Sequence, residues 1–408
     1  MFKTISKCRS CKSPNLQKIL DLGNQPLAND FRTKLKNLKK IPLIIARCKK
    51  CKLIQLNATV KPEILFSKYF WVTSTSGEIK HYRKKFIEKI KKYHLKDSNI
   101  LEIASNDGFF LKGLKKQGFK KILGIDPAKN IAQKANRDGI KTLPIFFNLK
   151  NSKKIKKKIH PDVIICRNVI PHVENVNSVI SGISNLISKN GNVFIEFHYA
   201  KNIVKKMHYD YIYHEHIFYY SIKSLENILK KYNLKIFDCF KSPISGGSIV
   251  LIASKKINKK TSILLKFQKL EQKIGLNSLK YWVKFSEKCL EHKLNVKKFI
   301  KKEISKKNKL IGYGASARSA TFLNYCYLSN QEIKCILDQN KLKHNHFTPG
   351  SDILIKKPTR TSLINVDNVL ILAWNFKKEI IEYLKKLQYQ KKITIFFPKI
   401  ISRKIIFF

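Results

Sequence analysis

Arginine is scarce in this chain. Of its 83 basic residues only nine are arginine, so the formal charge of +56 rests on lysine. Base-edge readout and bidentate phosphate clamps favour the planar guanidinium. The lysines are spread over the whole length beside isoleucine and asparagine, which reads as solvated faces, and no specific nucleic-acid partner is expected. Long apolar runs are missing too. No stretch approaches the ~18 apolar residues of a membrane helix, and the basic N-terminus has no signal-peptide core. A cytoplasmic protein without a membrane partner is therefore expected. In that reducing compartment the nine cysteines are not expected to form a disulfide framework. Histidine is rare as well, eleven in 408 residues.

The cysteines are informative through their spacing. Cys8 and Cys11, then Cys48 and Cys51, form two CxxC knuckles. Each knuckle turns two thiolates toward one ion, and two knuckles complete a tetrahedral S4 site of the kind zinc prefers, with no position left open for catalysis. The segment between them, containing "LGNQPLANDF", must loop back to deliver the second pair. Cys166, Cys239 and Cys326 sit in apolar runs and read as core.

Beyond this small metal domain, short apolar runs alternate with amphipathic stretches. "NILEIAS", "KILGID", "DVIICRN" and "NVFIEF" read as strands, and "FFLKGLKKQG", "AKNIAQKANRDG" and "VNSVISGISNLIS" as the helices between them. The pattern predicts a parallel, doubly wound α/β sheet, whose ligands lie beyond the carboxyl ends of the strands. At the first turn, Ala104, Asn106 and Phe109 stand where a dinucleotide fold has three glycines, which argues against a pyrophosphate there. The run Glu102-Ile-Ala-Ser-Asn-Asp-Gly108 instead resembles the E-x-G-x-x-D-G motif of S-adenosylmethionine (SAM)-dependent methyltransferases, with alanine at the first glycine. Glu102, Ala104, Ser105, Asp107 and Gly108 are the candidate cofactor residues, with Asp126 as ribose acceptor and Asn168 after the next strand.

Four of the eleven histidines fall between His198 and His216, in "HYAKNIVKKMHYDYIYHEH". The i, i+2 spacing of His214 and His216 gives no HExxH metal geometry. On an extended segment those two rings share a face, with Glu215 on the other. Imidazoles and phenols beside a sulfonium cofactor suit proton removal from carbon, since a histidine titrating near neutrality serves as base while donors hold an enolate oxygen.

The paired knuckles, the E-I-A-S-N-D-G turn, "NVIPHVEN", "DYIYHEH", "ISGGSIVL" and "GYGASARSATFLNY" occur in the order found in sugar C-methyltransferases acting on nucleotide-linked 4-keto-deoxyhexoses. The chain resembles that family over nearly its whole length. The resemblance implies a zinc-binding N-terminal domain, a central SAM domain and a C-terminal Rossmann-like domain that helps hold the nucleotide-diphosphate 4-keto-deoxysugar. It implies methylation next to the ketone, usually at C3, with Tyr213, Glu215 and His216 as the catalytic group and His172 as a further member. His216 is assigned as base and Tyr213 or His172 as oxyanion donor, although base and donor are interchangeable on sequence alone.

The C-terminal third carries the counter-evidence. Gly312-Tyr-Gly314-Ala-Ser-Ala317 satisfies G-x-G-x-x-A, and Asp338 ends the next strand, which alone reads as an NAD site. The same cradle holds any pyrophosphate at a helix N-terminus. Gly312, Gly314, Ser316 and Arg318 are accordingly assigned to the nucleotide sugar, and Trp374 and Asn375 to sugar or base contacts. Residues 1–65, 66–256, 257–308 and 309–408 are expected to form the zinc domain, the SAM domain, a helical connector and the substrate domain. Two alternatives stand beside this reading: an NAD-dependent oxidoreductase, and a zinc-ribbon RNA methyltransferase that would use the basic charge. The oligomeric state has no readable signal.

Overall fold

A computed structural model describes residues 2–66 and 77–405. The expected boundary at residue 65 adjoins residues 67–76, which lie outside the described residues. At the N-terminus, the strands Leu16–Gln25 and Ile41–Cys48 pair as an antiparallel hairpin, and this hairpin returns the second knuckle to the first. Ile54–Leu56 continues the sheet.

The central sheet has seven strands. In spatial order they are Lys235–Ser242, Ser248–Ser254, Asn192–His198, Val163–Arg167, Ile100–Ile103, Ile122–Ile125 and Thr142–Leu143. The last five run parallel, and the first two form an antiparallel hairpin against Asn192–His198. Helices follow the parallel strands at Phe109–Lys116, Lys129–Arg137, Leu149–Lys156 and Val176–Leu186. Covered on both faces, the central strands carry continuous rather than alternating apolar sequence. Every residue of Asn192–His198 and of Ser248–Ser254 is buried.

Two helices follow, Ser262–Lys273 and Leu279–Ser305. The longer helix places His292 between Tyr209, whose hydroxyl lies 2.9 Å from Nδ1, and the Phe396 carbonyl 2.7 Å from Nε2. A second sheet then follows, in the order Ile355–Lys356, Ile336–Leu337, Leu310–Tyr313, Asn368–Ile371, Lys392–Ile395 and Ile401–Lys404, parallel except for the last strand. Among the described residues no helix is long and apolar enough to cross a membrane.

One piece of the central domain leaves its own sheet. Phe218–Tyr219, just past the His-Glu-His run, adds as an edge strand to Ile54–Leu56 of the N-terminal sheet, pairing Phe218 with Gln55 and Tyr219 with Ile54. The aromatic segment is thereby stitched to the metal domain.

Candidate active site

The four knuckle cysteines converge, all four sulfurs lying within 4.8 Å of one another. Sγ of Cys8 is 3.6 Å from that of Cys51, and Cys11 is 3.4 Å from Cys48. Tetrahedral Zn–S bonds of ~2.3 Å separate sulfurs by ~3.8 Å, so the set fits zinc. Both knuckles close in the same way: Lys12 and Lys52 turn through positive φ and donate to the carbonyls of Cys8 and Cys48. The Gln55 amide donates to the Cys8 sulfur at 3.2 Å, an outer contact that orients the ligand.

The central turn departs from ordinary backbone geometry. Ala104, Asn106 and Gly108 all have positive φ, at 53°, 51° and 70°. Alanine in that region is strained by ~1 kcal/mol, so the departure from glycine here is felt by the backbone. Asp126 ends the next strand with both carboxylate oxygens on backbone N–H groups, Asn106 at 2.9 Å and Ala128 at 3.0 Å. Burial raises its pKa, against the pull of those two donors. Asp107 accepts from the Phe109 N–H at 3.3 Å. Glu102 is fully buried and takes both of its bonds from Arg167 on Oε1, at 2.9 and 2.6 Å. Oε2 of Glu102, Oγ of Ser105 and Oδ1 of Asn168 are buried without a hydrogen-bond partner. Unpaired buried polar atoms are rare in native folds. Three of them around one left-handed turn, at the carboxyl ends of adjacent strands, fit the amino-acid and ribose groups of SAM.

The aromatic segment adopts a turn instead of the extended form expected from its sequence. The N–H of His216 bonds back to the Tyr213 carbonyl at 2.8 Å. Consequently His214 and His216 do not share a face. His214 points to the Ile41 carbonyl, 3.3 Å from Nε2, and helps fasten the N-terminal sheet. His216 turns inward, its Nδ1 2.7 Å from the Tyr211 carbonyl, and stacks on Tyr211 at 3.9 Å and against Tyr213 at 4.0 Å. A carbonyl can only accept, so Nδ1 carries the proton and Nε2 the lone pair. Burial, reinforced by the neighbouring His172, holds His216 far below the usual imidazole range, hence neutral.

His172 comes to the same place, its ring 4.9 Å from that of His216. Its Nδ1 donates to the Glu215 carbonyl at 2.9 Å, and burial lowers its pKa to about 4. The Glu215 carboxylate accepts from Nδ2 of Asn29 at 2.6 Å, and burial raises its pKa to about 7. Asn29 lies in the N-terminal loop "PLAND" that sequence reasoning used only as a connector. Its partner is 186 residues away, and the signal available was a polar pair interrupting an apolar loop.

The upstream end of the segment is held from the other side. Asp210, 1% exposed, accepts from Arg318 Nε at 2.9 Å, from a second Arg318 nitrogen at 2.8 Å and from Trp374 Nε1 at 2.8 Å. Tyr213 packs near Ala28 of the N-terminal loop and Ala317 and Ala320 of the C-terminal helix. Three parts of the chain thus meet around one turn. Gly312 lies on the strand Leu310–Tyr313, Gly314 and Ser316 on the turn after it, and Arg318 on the helix Ala317–Cys326. There Ser316 caps Ala317–Cys326 in a reciprocal box with Ser319. A Cβ on Gly314 would lie 2.2 Å from that of Ala373. Asp338 accepts from the backbone of Ala315 and Asn340, each at 2.8 Å, and Lys343 Nζ reaches the Ala315 carbonyl at 2.5 Å.

Comparison with known proteins finds three family matches along the chain. Residues 8–66 match a zinc binding domain family, residues 77–238 a methyltransferase domain family, and residues 243–398 a C-methyltransferase C-terminal domain family. The chain is 27% identical to the C-methyltransferase NovU of Streptomyces niveus over 394 residues, covering 95% of this chain and 94% of that one. Among solved structures, the magnesium protoporphyrin IX methyltransferase of Synechocystis with bound SAM aligns at a TM-score of 0.34 and 12% identity, over 46% of this chain and 87% of that one. A SAM-dependent methyltransferase of Clostridium acetobutylicum aligns at 0.35 and 14%, over 47% and 94%.

Proposed function

We propose that this SAM-dependent methyltransferase, with its zinc-binding domain and its C-methyltransferase C-terminal domain, methylates the carbon next to the ketone, C3, of a nucleotide-linked 4-keto-deoxyhexose. The observation that carries the reading is the His216 Nδ1–H bond to the Tyr211 carbonyl. It leaves a lone pair on Nε2 of a ring that burial keeps neutral, which is the form a base must have before it takes a proton from carbon. His172 has its Nδ1–H on the Glu215 carbonyl, so as a neutral ring its other nitrogen accepts and does not donate. This supports the Tyr213 phenol over His172 as the oxyanion donor, at an expected worth of ~3 kcal/mol for one preorganised donor. Glu215, bonded to Asn29, fixes the N-terminal loop over the site.

Glu102, Ala104, Ser105, Asp107, Gly108, Asp126 and Asn168 are proposed to hold SAM, which when bound supplies an electrophilic methyl group. Tyr213 packs near Ala317 and Ala320, on the helix that follows Gly312, Gly314 and Ser316, and we assign the nucleotide end of the substrate to the turn before that helix. Arg318 contributes by holding Asp210. Asp338 accepts from two backbone N–H groups, as Asp126 does at the central turn, so this residue does not separate the two turns. The name of NovU, which is that of a C-methyltransferase, supports carbon as the acceptor.

The test is incubation with SAM and a panel of nucleotide-linked 4-keto-deoxyhexoses, followed by reduction and mass spectrometry. A gain of one methylene that stays on carbon is expected, and no transfer across the panel refutes the reading. His216→Ala should lower kcat about 1000-fold while SAM binding, measured by calorimetry, is retained.

A further inference from the structure

Four imidazoles line the junction, and the mechanism above draws on two of them. The others are His198, last residue of the strand Asn192–His198, and His208, which precedes the turn Tyr209–Tyr211. His198 is 2% exposed, and neither of its ring nitrogens has a hydrogen-bond partner. His208 is 1% exposed and its Nδ1 is unpartnered as well. The two rings lie 5.7 Å apart.

Their position is that of the reaction. His198 stacks on Tyr211 at 4.2 Å, and the same tyrosine stacks on His216 at 3.9 Å, which makes one column of three rings ending at the proposed base. His208 packs on Trp374 at 4.4 Å, and a Cβ on Gly246 would lie 3.3 Å from its ring. The charged groups felt by the pair are Arg318 and Lys206. Arg318 is occupied by Asp210, and Lys206 donates to the Gly246 carbonyl at 2.6 Å. Burial first, then those cations, keeps both imidazoles neutral.

A buried nitrogen without a partner carries the full desolvation penalty of the group, and His198 has two. The chemistry of the missing partner follows from the ring. A neutral imidazole offers one donor and one acceptor, which matches a hydroxyl, since a hydroxyl also both donates and accepts. A phosphate only accepts, and the two cations suited to it are already engaged.

We propose that His198, assisted by His208, binds a hydroxyl group of the sugar and so sets the sugar ring against the Tyr211–His216 column. The inference rests on the sugar-methyltransferase reading above and deepens it by naming a specificity residue.

His198→Phe tests it, because phenylalanine keeps the stack on Tyr211 and deletes both nitrogens. With the panel of nucleotide-linked 4-keto-deoxyhexoses, KM should rise roughly tenfold while SAM affinity is unchanged. The melting temperature should hold or rise, since removal of unsatisfied polar atoms from a buried site relieves the free protein. His198→Gln, whose amide supplies both an N–H donor and a carbonyl acceptor, should restore KM to within about threefold of wild type. Among analogues that each lack one ring hydroxyl, the gap between wild type and His198→Phe should close for one member. An unchanged KM, a fall in melting temperature, or a gap that closes for no analogue overturns the proposal and leaves the methyltransferase reading standing. Absence of transfer by the wild-type protein overturns both.

Discussion

The two strand–turn–helix units of this chain look alike in sequence and differ in what they leave unfinished. In the central unit, Glu102–Gly108, the backbone passes through left-handed conformations at three positions and buried oxygens of Glu102 and Ser105 lack partners. In the C-terminal unit, Gly312–Ala317, the side chains are already satisfied: Ser316 bonds Ser319, Asp338 bonds two backbone amides, and Arg318 is locked to Asp210. Its glycine is explained by contact with Ala373. The unit that departs from the expected glycine pattern leaves buried oxygens unpaired, which supports the proposed cofactor site there. In the one that matches a fingerprint, the side chains of Ser316, Asp338 and Arg318 are engaged within the fold, and the proposed nucleotide contact there falls to the backbone of the turn. Hydrogen-bond accounting separates the two where the motif does not.

The contrast is exposed most severely at Arg318. Arg318→Ala strands a carboxylate that is 1% exposed, and should cost roughly 3–5 kcal/mol in denaturant unfolding, with SAM affinity unchanged in the protein that remains folded. A stability loss below the level of a surface substitution would mean that the C-terminal unit is not a clamp. Ser105→Ala should do the opposite, sparing stability and weakening SAM about threefold to tenfold in calorimetry. If stability fell and SAM affinity held, the central turn would be the structural one. Ala104→Gly, at φ 53°, should relieve about 1 kcal/mol of strain, read as a raised denaturation midpoint, with no counterpart gain available at Gly314. The smallest effect belongs to the segment between the units. Glu215 keeps its proton up to about pH 7 in the folded chain, whereas an unfolded glutamate releases it near ~4.3. The folded state therefore binds more protons in that window, so this group's share of stability is complete below it and declines as pH rises through it. Glu215→Gln should flatten the melting temperature against pH between those limits. An identical slope would remove Glu215 as the cause.

Local features of this architecture were legible in the sequence. Both knuckles close through bonds within five residues, such as Cys8 N–H to Ser13 carbonyl, and the parallel strands announce themselves as unbroken apolar runs. The turn at His-Glu-His was not legible, because alternation of residue type also describes an extended strand. What decides the conformation is a set of distant carbonyls and amides: Ile41 on His214, Asn29 on Glu215, and His172 on the Glu215 carbonyl. The Asp210 clamp escaped for the same reason, its partners lying 108 and 164 residues along the chain. Trp374, expected at a sugar or base, has its indole N–H on that carboxylate.

The edge strand Phe218–Tyr219 has a consequence for how the protein is inherited and dismantled. Because the strand just beyond the proposed base hydrogen-bonds to the sheet that carries the cysteines, the proposed catalytic turn does not belong to the central fold alone. A seven-stranded domain cut free of its neighbours would keep its helices and its Glu102–Gly108 turn and lose the scaffolding of the proposed catalytic turn. Recombination among such enzymes should therefore exchange the metal module and the aromatic loop as one cassette, and a chelator strong enough to strip the thiolates should silence chemistry at a distance, without touching a single reacting atom.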